Sequence, residues 1–417
     1  MPDILVVGGG ASGMVAALFA ARAGASVLLL EKNEKLGKKV YITGKGRCNL
    51  TNDCDRDEFL AQVARNPRFL YSALSFFSPR DMMSLLEGAG CPVQVQRGRR
   101  VFPLSEKASD VTRALTACLR DAGVQIRLNT EVRSLEIAGG KAAGVRLADG
   151  RIVPADAVIL CTGGLSYPAT GSTGDGYRMA EDLGHTVLPP EPVLVGLETE
   201  ESWPRFLQGL SLRNVTLTLS RGKKKLYSEL GEMLFTHFGV SGPLVLEASC
   251  HLPEPPCGAA LTIDLKPGLS SEQLDARLLR DFTAAGKKLL RTELSSLLPA
   301  RLADLFPELC GLPASLPCNQ ITAPQRQKLA AALKSLPLTV RAPRPLEEAI
   351  VTRGGVSVRE IEPGTMRSRI VPNLFFAGEL IDTDAHTGGY NLQIAWSTGA
   401  LAARSAAEYV MNHPEEP

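Results

Sequence analysis

The sequence predicts an α/β fold in which a dinucleotide-binding domain, formed by both ends of the chain, is interrupted by a β-rich insertion. Near the N-terminus, a glycine-rich turn separates a short apolar run from an alanine-rich run. Near the C-terminus, a glycine pair opens a long helical pattern. Between these two regions, alternating apolar and polar residues indicate strands.

The composition is that of an ordinary globular protein. Among 417 residues, 44% are hydrophobic, and 46 basic residues oppose 44 acidic ones, for a formal charge of +2. Such a balance offers no general electrostatic attraction for nucleic acid or anionic lipid. We therefore expect a small-molecule organic substrate, no nucleic-acid partner and no membrane partner. We expect the protein to be a monomer or a weak homodimer.

The cysteines and the N-terminus favour a cytoplasmic protein. There are nine cysteines, an odd number, and no C-x-x-C pair occurs, so reduced thiols fit better than a secreted disulfide framework. The first apolar run has no basic flank and ends in glycines, which is unlike a signal peptide. No uncharged apolar stretch reaches the roughly 18 to 20 residues of a transmembrane helix.

The first residues predict a nucleotide site. Ile4–Val7 is an apolar run suited to a buried strand, and G-x-G-x-x-G follows at once as Gly8, Gly10 and Gly13. Gly8 allows a tight turn, Gly10 lets a pyrophosphate approach the backbone, and Gly13 lets helix and strand pack closely. The pattern therefore predicts a strand, a phosphate-binding turn and a helix.

An acidic residue at the end of the second predicted strand indicates where the ribose of the nucleotide binds. Residues 14–22 read as a helix, whose N-terminus supplies unpaired N–H groups for phosphates, and 26–30 read as a second buried strand. Glu31 ends that strand and is placed to accept hydrogen bonds from ribose hydroxyls. An acid here favours an unphosphorylated ribose, as in FAD or NAD.

The middle of the N-terminal region favours FAD. Residues 38–52 are dense in glycines and polar side chains and predict a loop shaped around a polar ring system. Residues 124–128 predict a strand, and 132–153 an antiparallel meander. Ala157–Leu160 is a buried strand followed by Thr162-Gly163-Gly164, an arrangement typical of the glutathione-reductase type of Rossmann FAD-binding domain.

The C-terminal region supplies the other half of the site. Residues 373–379 predict a strand with a small-residue exit, and Gly388-Gly389 precedes a helix from about 392 to 411. In FAD proteins this helix start faces the flavin pyrimidine edge, where negative charge collects on reduction. We expect both ends of the chain to form one site for tightly bound FAD.

The predicted FAD domain is discontinuous, comprising residues 1–190 and 350–417, with the Pro-rich stretch 188–192 marking its exit. Alternating runs at 193–199, 215–219 and 259–265 suggest a β-barrel-like substrate or cap domain over 191–268 and 337–349. Residues 269–336, in which 270–305 and 324–336 look helical, predict a helical subdomain inserted between barrel strands.

Motifs along nearly the whole chain resemble one bacterial family of FAD flavoproteins, which includes aminoacetone oxidases, BaiN-type bile-acid-intermediate reductases and YhiN-like proteins. The matching motifs are G-G-G-A-S-G (8–13), G-R-C-N-L-T-N (46–52), T-G-S-T-G-D-G-Y (170–177), L-F-T-H-F-G-V-S-G-P (234–243), T-R-G-G-V (352–356) and A-G-E…G-G-Y-N-L-Q (377–393). The family's D-x-D-G is replaced by Asp382-Thr383-Asp384-Ala385, and the resemblance defines the cofactor better than the substrate.

The motifs and the resemblance together imply a set of cofactor-binding residues distributed over both ends of the chain. They are Gly8, Gly10, Ala11, Ser12, Gly13, Glu31, Lys32, Lys39, Gly44, Gly46, Arg47, Cys48, Asn49, Leu50, Thr51, Val132, Thr162, Gly163, Gly164, Gly378, Glu379, Asp382, Gly388, Gly389, Tyr390, Asn391 and Leu392.

Three side chains are candidates for catalysis. His237 could act as an acid or base over the flavin, or be a structural histidine at a turn. His386 could neutralise a reduced flavin or touch substrate, or be a surface loop residue. Tyr390 could stack near the ring or cap the helix. No cluster of residues has metal-ligand spacing, so no metal is expected.

Two further patterns have competing explanations. Cys48 and Cys54 have C-x5-C spacing, so a cysteine packed under the flavin is a better account than a disulfide-reductase pair. Arg97, Arg99 and Arg100 around Gly98 could receive a substrate carboxylate or form a solvated basic turn.

The sequence thus predicts an FAD-dependent oxidoreductase that transfers a hydride between a small organic substrate and flavin N5. An NAD(P)H-dependent reductase of conjugated alkenes or enones is one version, with the nicotinamide bound transiently, because no second glycine-rich unit occurs. An oxygen-dependent amine or amino-ketone oxidase is the alternative. A flavin-bound sensor without turnover is a third.

Overall fold

The structure is a computed structural model and describes residues 1–413; residues 414–417, the end of the predicted FAD domain, lie outside the described residues. The chain forms two compact units, one containing Met1–Val193 and the chain from Leu346 onward, the other Leu194–Pro345. The strands, in chain order, are β1 Ile4–Val7, β2 Val27–Leu30, β3 Thr51–Asn52, β4 Val63–Arg65, β5 Val93–Gln96, β6 Arg100–Pro103, β7 Gln125–Arg127, β8 Val132–Ala138, β9 Lys141–Leu147, β10 Ile152–Pro154, β11 Ala157–Leu160, β12 Val187–Val193, β13 Leu197–Thr199, β14 Ser211–Arg221, β15 Lys224–Phe235, β16 Gly239–Ser241, β17 Ala260–Asp264, β18 Leu336–Pro343, β19 Val351–Val356, β20 Leu374–Phe376 and β21 Asp384–Ala385.

Twelve α-helices accompany these strands in residues 1–413. They are α1 Ala11–Arg22, α2 Arg56–Leu60, α3 Tyr71–Phe76, α4 Pro79–Gly88, α5 Ala108–Asp121, α6 Asp175–Asp182, α7 Pro243–Ser249, α8 Ser271–Ala285, α9 Leu290–Leu294, α10 Ala300–Leu309, α11 Ala323–Lys334 and α12 Tyr390–Asn412.

A five-stranded parallel sheet is the centre of the first unit. Its strand order is β20-β11-β1-β2-β7, with β1 between β11 and β2. All four residues of β1, β2 and β11 are buried, as expected for strands covered on both faces. Helices α1 and α12 pack closely, because a Cβ on Gly399 would lie 2.4 Å from the Ser12 carbonyl oxygen.

The predicted meander is confirmed, as β8, β9 and β10 form a three-stranded antiparallel sheet. Both glycine-opened helices are also confirmed, but they begin earlier than predicted, at Ala11 and Tyr390. Gly10 and Gly389 occupy their N-cap positions, so each helix starts directly at its glycine motif.

Two local features differ in detail from the sequence expectation. The Pro-rich stretch 188–192 lies within β12, which pairs with β19 through a register shift between Leu188 and Glu191 and ends at Val193, where the N-terminal part of the first unit also ends. Prolines are tolerated there because β12 has one partner strand and an irregular ladder. The predicted loop 38–52 contains a 3-10 helix, Val40–Gly46, with a kink at residues 43–45, and the short strand β3.

The second unit contains a closed six-stranded barrel in the order β13-β16-β15-β14-β17-β18. Alternate residues of β14 point inward, and Leu217 and Phe235 are fully buried. Helices α8 to α11 follow β17 and precede β18 in the chain, and their apolar faces join the same core through residues such as Leu278 and Phe306. The predicted fold class, a Rossmann domain with an inserted barrel, is confirmed. The separate helical subdomain stays a prediction.

Within the described part of the chain, every helix is too short or too polar to cross a lipid bilayer.

Candidate functional site

The turn after β1 needs its glycines. Gly8 has a φ of 100°, and a Cβ on it would lie 2.5 Å from the Cys161 carbonyl oxygen. A Cβ on Gly13 would lie 1.8 Å from the Gly8 carbonyl oxygen. By contrast, a Cβ on Gly10 would meet nothing within 4 Å. The backbone is therefore packed against β11 on one side and open at Gly10 on the other.

The N-terminus of α1 is built to attract an anion. Its N-cap is Gly10, no side chain caps it, and its first turn holds no acidic residue. The first bond into the helix runs from Met14 N–H to the Gly10 carbonyl, which leaves the earlier amides of the turn, including those of Ala11 and Ser12, without helical partners. These N–H groups and the helix dipole favour a phosphate group at this end.

Glu31 is buried at the end of β2 and organises the glycine turn. Its Oε2 accepts a bond from Gly9 N–H (2.7 Å), and its Oε1 accepts from the backbone and side-chain N–H groups of Asn33 (2.8 and 2.7 Å). An ionised carboxylate oxygen accepts two bonds, so Oε2 retains capacity for a hydroxyl donor. Lys32, the next residue, pairs instead with Asp175 (2.6 Å). Val132, at the start of β8, is buried.

A polar network joins four distant segments of the first unit. Lys39 Nζ lies 2.5 Å from both Glu379 Oε2 and Ser166 Oγ. Glu379 Oε1 also accepts from Thr352 N–H (2.8 Å) and from Ser166 Oγ (3.1 Å). A Cβ on Gly164 would lie 2.6 Å from Thr352 Oγ1, so the Thr162-Gly163-Gly164 loop packs directly on β19. The predicted residues Lys39 and Glu379 are thus neighbours, although 340 positions apart.

The loop around Cys48 is packed rather than redox-active. The Cys48 thiol is fully buried, and burial raises its pKa to about 12, while burial raises the pKa of Cys54 to about 11. All nine cysteines are free thiols. Because a thiolate is the form that attacks a disulfide, both groups are poorly suited to that chemistry. The geometry supports the packed-cysteine explanation. Close by, Gly44 and Gly46 adopt positive φ, and Arg47 stacks on Phe102 at 4.4 Å.

The start of α12 lies against the segment 49–52. A Cβ on Gly389, whose φ is 99°, would lie 2.3 Å from the Thr51 carbonyl oxygen. Thr51 Oγ1 donates to Gln393 Oε1 (2.7 Å), and Asn52 Nδ2 donates to the Gly388 carbonyl (3.1 Å). Asn49, with its amide oriented to satisfy both ends, accepts from Gly389 N–H at 3.1 Å. The two ends of the chain therefore meet at this helix start, as expected from the sequence.

Helix α12, like α1, begins without a side-chain cap and without an acidic residue in its first turn. Asn391 turns back to bond both backbone groups of Ala385, with Nδ2 to the carbonyl (2.7 Å) and Oδ1 from the N–H (2.9 Å). Leu392 is half-buried in the first turn. Alanine fits in place of the family's glycine because Ala385 is extended in β21 and pairs with Val63.

Two ion pairs with buried carboxylates hold the loop before α12, and neither cation was predicted from the sequence. Arg65 Nε lies 2.7 Å from Asp382 Oδ1, and Arg353 donates to both oxygens of Asp384 (3.0 and 2.8 Å). Asp382 and Asp384 are 2% and 0% exposed. Gly378, a predicted site residue, packs on Ser12 of α1. Only the T-R-G-G-V motif signalled that Arg353 had a special position.

The three catalytic candidates have different environments. His386 is half-buried before α12, and its backbone N–H donates to the Gln62 carbonyl (3.0 Å). Tyr390 is half-buried and contacts the Phe59 ring edge to face at 5.1 Å. His237 belongs to the second unit, where it is exposed in the turn closed by Thr236 and Gly239 and lies against Phe238. The first unit thus brings His386 and Tyr390 together with the predicted cofactor residues.

The model of the HI0933-like protein Rossmann domain matches residues 2–405. The 3-dehydro-bile acid delta(4,6)-reductase of Clostridium scindens is 33% identical over 98% of this chain and 100% of its own length. A ribosomal RNA dihydrouridine synthase of Escherichia coli is 31% identical over 96% of this chain and 97% of its own. Among solved structures, the 3-ketosteroid delta1-dehydrogenase of Sterolibacterium denitrificans is similar in fold, with a TM-score of 0.54, 17% identity, and coverage of 98% and 99% of the two chains.

Proposed function

The chain belongs to the HI0933-like Rossmann family of FAD-dependent oxidoreductases, and on this premise we propose that it reduces a carbon–carbon double bond conjugated to a carbonyl group. One relative is named for reducing the delta(4,6) positions of a 3-dehydro bile acid, and another for forming dihydrouridine in ribosomal RNA. Each named reaction adds hydrogen across an alkene conjugated to a carbonyl. This shared chemistry is the observation that carries the proposal.

The residues of the first unit fit FAD. The open space at Gly10 and the uncapped start of α1 suit a pyrophosphate, and Glu31 Oε2 suits a ribose hydroxyl. The network of Lys39, Glu379 and Ser166 adds further polar groups within the same unit. When bound, FAD supplies the hydride donor at flavin N5.

The start of α12 would stabilise the charge that builds up on the reduced flavin. Its uncapped amides and positive dipole end favour an anion, and the buried pairs at Asp382 and Asp384 hold the loop before it in one conformation. Preorganised donors of this kind need no rearrangement during the reaction, so they lower the barrier to hydride transfer.

The product also needs a proton on the carbon next to the carbonyl. We propose that His386 or Tyr390 delivers this proton, since both lie beside the start of α12 and carry groups that exchange protons. The catalytic role of His237, which lies in the second unit, stays a prediction from the sequence. With the hydride that bound reduced FAD would supply, a proton from His386 or Tyr390 would complete the reduction, and NAD(P)H would restore the reduced flavin. An oxygen-dependent amine oxidase is not favoured by the names of the relatives.

An anaerobic stopped-flow experiment tests this proposal in two separate steps. The purified holoprotein is first mixed with NADH or NADPH, and rapid loss of the flavin absorbance is expected. Photoreduced enzyme is then mixed with a 3-keto-4-ene steroid or with uridine-containing RNA, and one of these compounds should restore the oxidised spectrum with a reduced product detected by mass spectrometry. Reoxidation by oxygen alone, with peroxide formed from an amine substrate, would overturn the reductase proposal.

A further inference from the structure

The carboxylate at the end of β2 is shared with Asn33, a residue outside the motifs recognised in the sequence. Asn33 donates to Glu31 Oε1 twice, from its backbone N–H (2.8 Å) and from its side-chain Nδ2 (2.7 Å). These two bonds fill the usual capacity of one carboxylate oxygen. Glu31 Oε2 accepts one bond, from Gly9 N–H (2.7 Å). The remaining capacity of this buried carboxylate therefore lies on Oε2.

The orientation of the Asn33 side-chain amide is fixed by its partners. Its Nδ2 donates to Glu31 Oε1 and to the Thr170 carbonyl (3.0 Å), while its Oδ1 accepts from Lys38 Nζ (3.3 Å). A side-chain amide has two N–H donors, and both are used in this orientation. The reverse orientation would turn the amide oxygen toward two acceptors, so Asn33 is held in a single arrangement.

Residues 167–174, which we call the α6 loop, pack against Asn33. The loop contains Gly171 at a φ of 105°, where a Cβ would lie 2.5 Å from Asn33 Nδ2. Asp175, the first residue of α6, pairs with Lys32 (2.6 Å). The loop and the helix start thus contact both residues that follow the acid of β2. This contact gives a structural reason for the T-G-S-T-G-D-G-Y motif, to which the proposed function assigns no role.

We infer that Asn33 is a positioning residue for the ribose of the bound dinucleotide, and that the α6 loop sets ribose selectivity through Asn33. This inference rests on the proposed contact between Glu31 and a ribose hydroxyl. With Oε1 saturated and Oε2 held by Gly9, the carboxylate presents its remaining capacity in one direction. A fixed acceptor discriminates strongly against a ribose that lacks the hydroxyl, because the carboxylate cannot turn to another partner.

The test measures the preference of the deflavinated full chain for ADP over 2′-deoxy-ADP and 3′-deoxy-ADP. These ligands share the adenine and the two phosphates, so their comparison isolates the ribose hydroxyls. Calorimetric titration is carried out on wild type, Glu31→Ala, Asn33→Ala, Gly171→Ala and the double variant Asn33→Ala/Gly171→Ala. Thermal melting records the stability of each protein.

Two control variants in the first unit reproduce the structural part of these changes. Asn373→Ala removes another hydrogen-bonded asparagine, a buried one whose Nδ2 donates to the carbonyls of Ala142 and Asp156 (2.7 and 2.6 Å). Gly184→Ala adds a methyl group at a φ of 87°, where it would meet no atom within 4 Å. Both controls can reduce stability without reaching Glu31.

We expect wild type to bind ADP about tenfold more tightly than the deoxy form that lacks the contacting hydroxyl, and Asn33→Ala to reduce this preference to about threefold. Gly171→Ala should reduce the preference to a similar extent. It should have no further effect in the Asn33→Ala background, because the amide that the added methyl group would displace is then absent. Both controls should keep the wild-type preference, whatever their melting temperatures.

An unchanged preference in Asn33→Ala, with the preference lost in Glu31→Ala, would overturn the inference and leave the ribose contact of Glu31 standing. An unchanged preference in Glu31→Ala, or no preference in wild type, would contradict both. Equal losses in Asn33→Ala and Asn373→Ala would assign the effect to stability and also overturn the inference. None of these results decides whether the flavin reduces a conjugated alkene, which the reoxidation of photoreduced holoprotein tests separately.

Discussion

The two uncapped helix starts of the first unit, α1 and α12, reach the same electrostatic result by different means. The start of α1 follows largely from local sequence, since Gly13 packs against the carbonyl of Gly8, five residues earlier in the same motif. The start of α12 depends on residues far away in the chain, including Thr51, Asn52 and the buried pair of Arg353 with Asp384. A local motif can therefore be recognised from its own residues, whereas a tertiary one needs its partners.

Breaking the ion pair between Arg353 and Asp384 should distinguish the start of α12 from that of α1 most strongly. Asp384→Ala leaves the Arg353 guanidinium without its bidentate partner in a buried environment, and we expect a loss of about 3–5 kcal/mol in the free energy of unfolding. Asp149→Ala, which removes an exposed pair with Arg151, is the control and should leave the free energy of unfolding nearly unchanged. Urea denaturation monitored by circular dichroism measures both. Equal stability of the two variants would show that the pair does not support the start of α12.

Adding a methyl group tests both glycine motifs directly. Gly13→Ala and Gly389→Ala each place a Cβ against a backbone carbonyl, so we expect a loss of about 1–3 kcal/mol in stability and substoichiometric FAD in both. Gly88→Ala, in α4, meets no atom within 4 Å and serves as the control. Flavin absorbance per chain and thermal melting are the measurements. Full FAD content in Gly389→Ala would mean that only α1 contributes to cofactor binding.

Removing the acid behind α1 should weaken FAD binding with a smaller effect on folding. Glu31→Ala deletes the acceptor for Gly9 N–H and the proposed ribose contact, and we expect the FAD dissociation constant to rise about tenfold, or about 1.4 kcal/mol. Glu31→Gln, which keeps one oxygen acceptor, should fall between wild type and the alanine variant. Fluorescence titration of the deflavinated protein measures both affinities. A Glu31→Ala variant with wild-type affinity would exclude the ribose role.

The smallest effect concerns acid stability outside both helix starts. Burial lowers the pKa of His185, whose Nε2 lies 2.9 Å from Ser368 Oγ, so the unfolded chain binds this proton more readily. Stability contributed by neutral His185 is present above the unfolded pKa of about 6.5 and is lost as the pH falls below it. His185→Gln should flatten the decline of the melting temperature in mild acid and leave FAD affinity unchanged. An unchanged decline would assign acid sensitivity to other groups.

The same contrast explains how much of the fold could be predicted. Elements set by neighbouring residues were predicted, whereas elements that depend on distant partners were not. The parallel strands β1, β2 and β11 are continuous apolar runs, and the first helix is announced by glycines, so periodicity and motif suffice. The strand β12 was not predicted across its prolines, because tolerance of proline depends on the partner strand, which local sequence does not reveal. Helices α2 to α5 were not predicted, because the patterns interpreted within residues 53–123, Cys54 and the basic turn at 97–100, are not helical signals.

The residues of the candidate site also divide into those predicted from local patterns and those that depend on distant partners. The positions of Glu31 and Gly389 were predicted from patterns, and the structure places them at the ends of β2 and at the N-cap of α12. Arg65 and Arg353 could not be predicted as partners of Asp382 and Asp384, because each pairing joins segments separated by more than thirty residues.

The most direct test of the central claim is calorimetric titration of the deflavinated full chain with FAD, comparing wild type with Glu31→Ala, Asn52→Ala and the double variant. Because both ends of the chain are held to contact the same molecule, we predict one FAD per chain and weaker binding in each single variant. Absence of FAD uptake by wild type, or an affinity insensitive to Asn52, would contradict a site shared by α1 and α12.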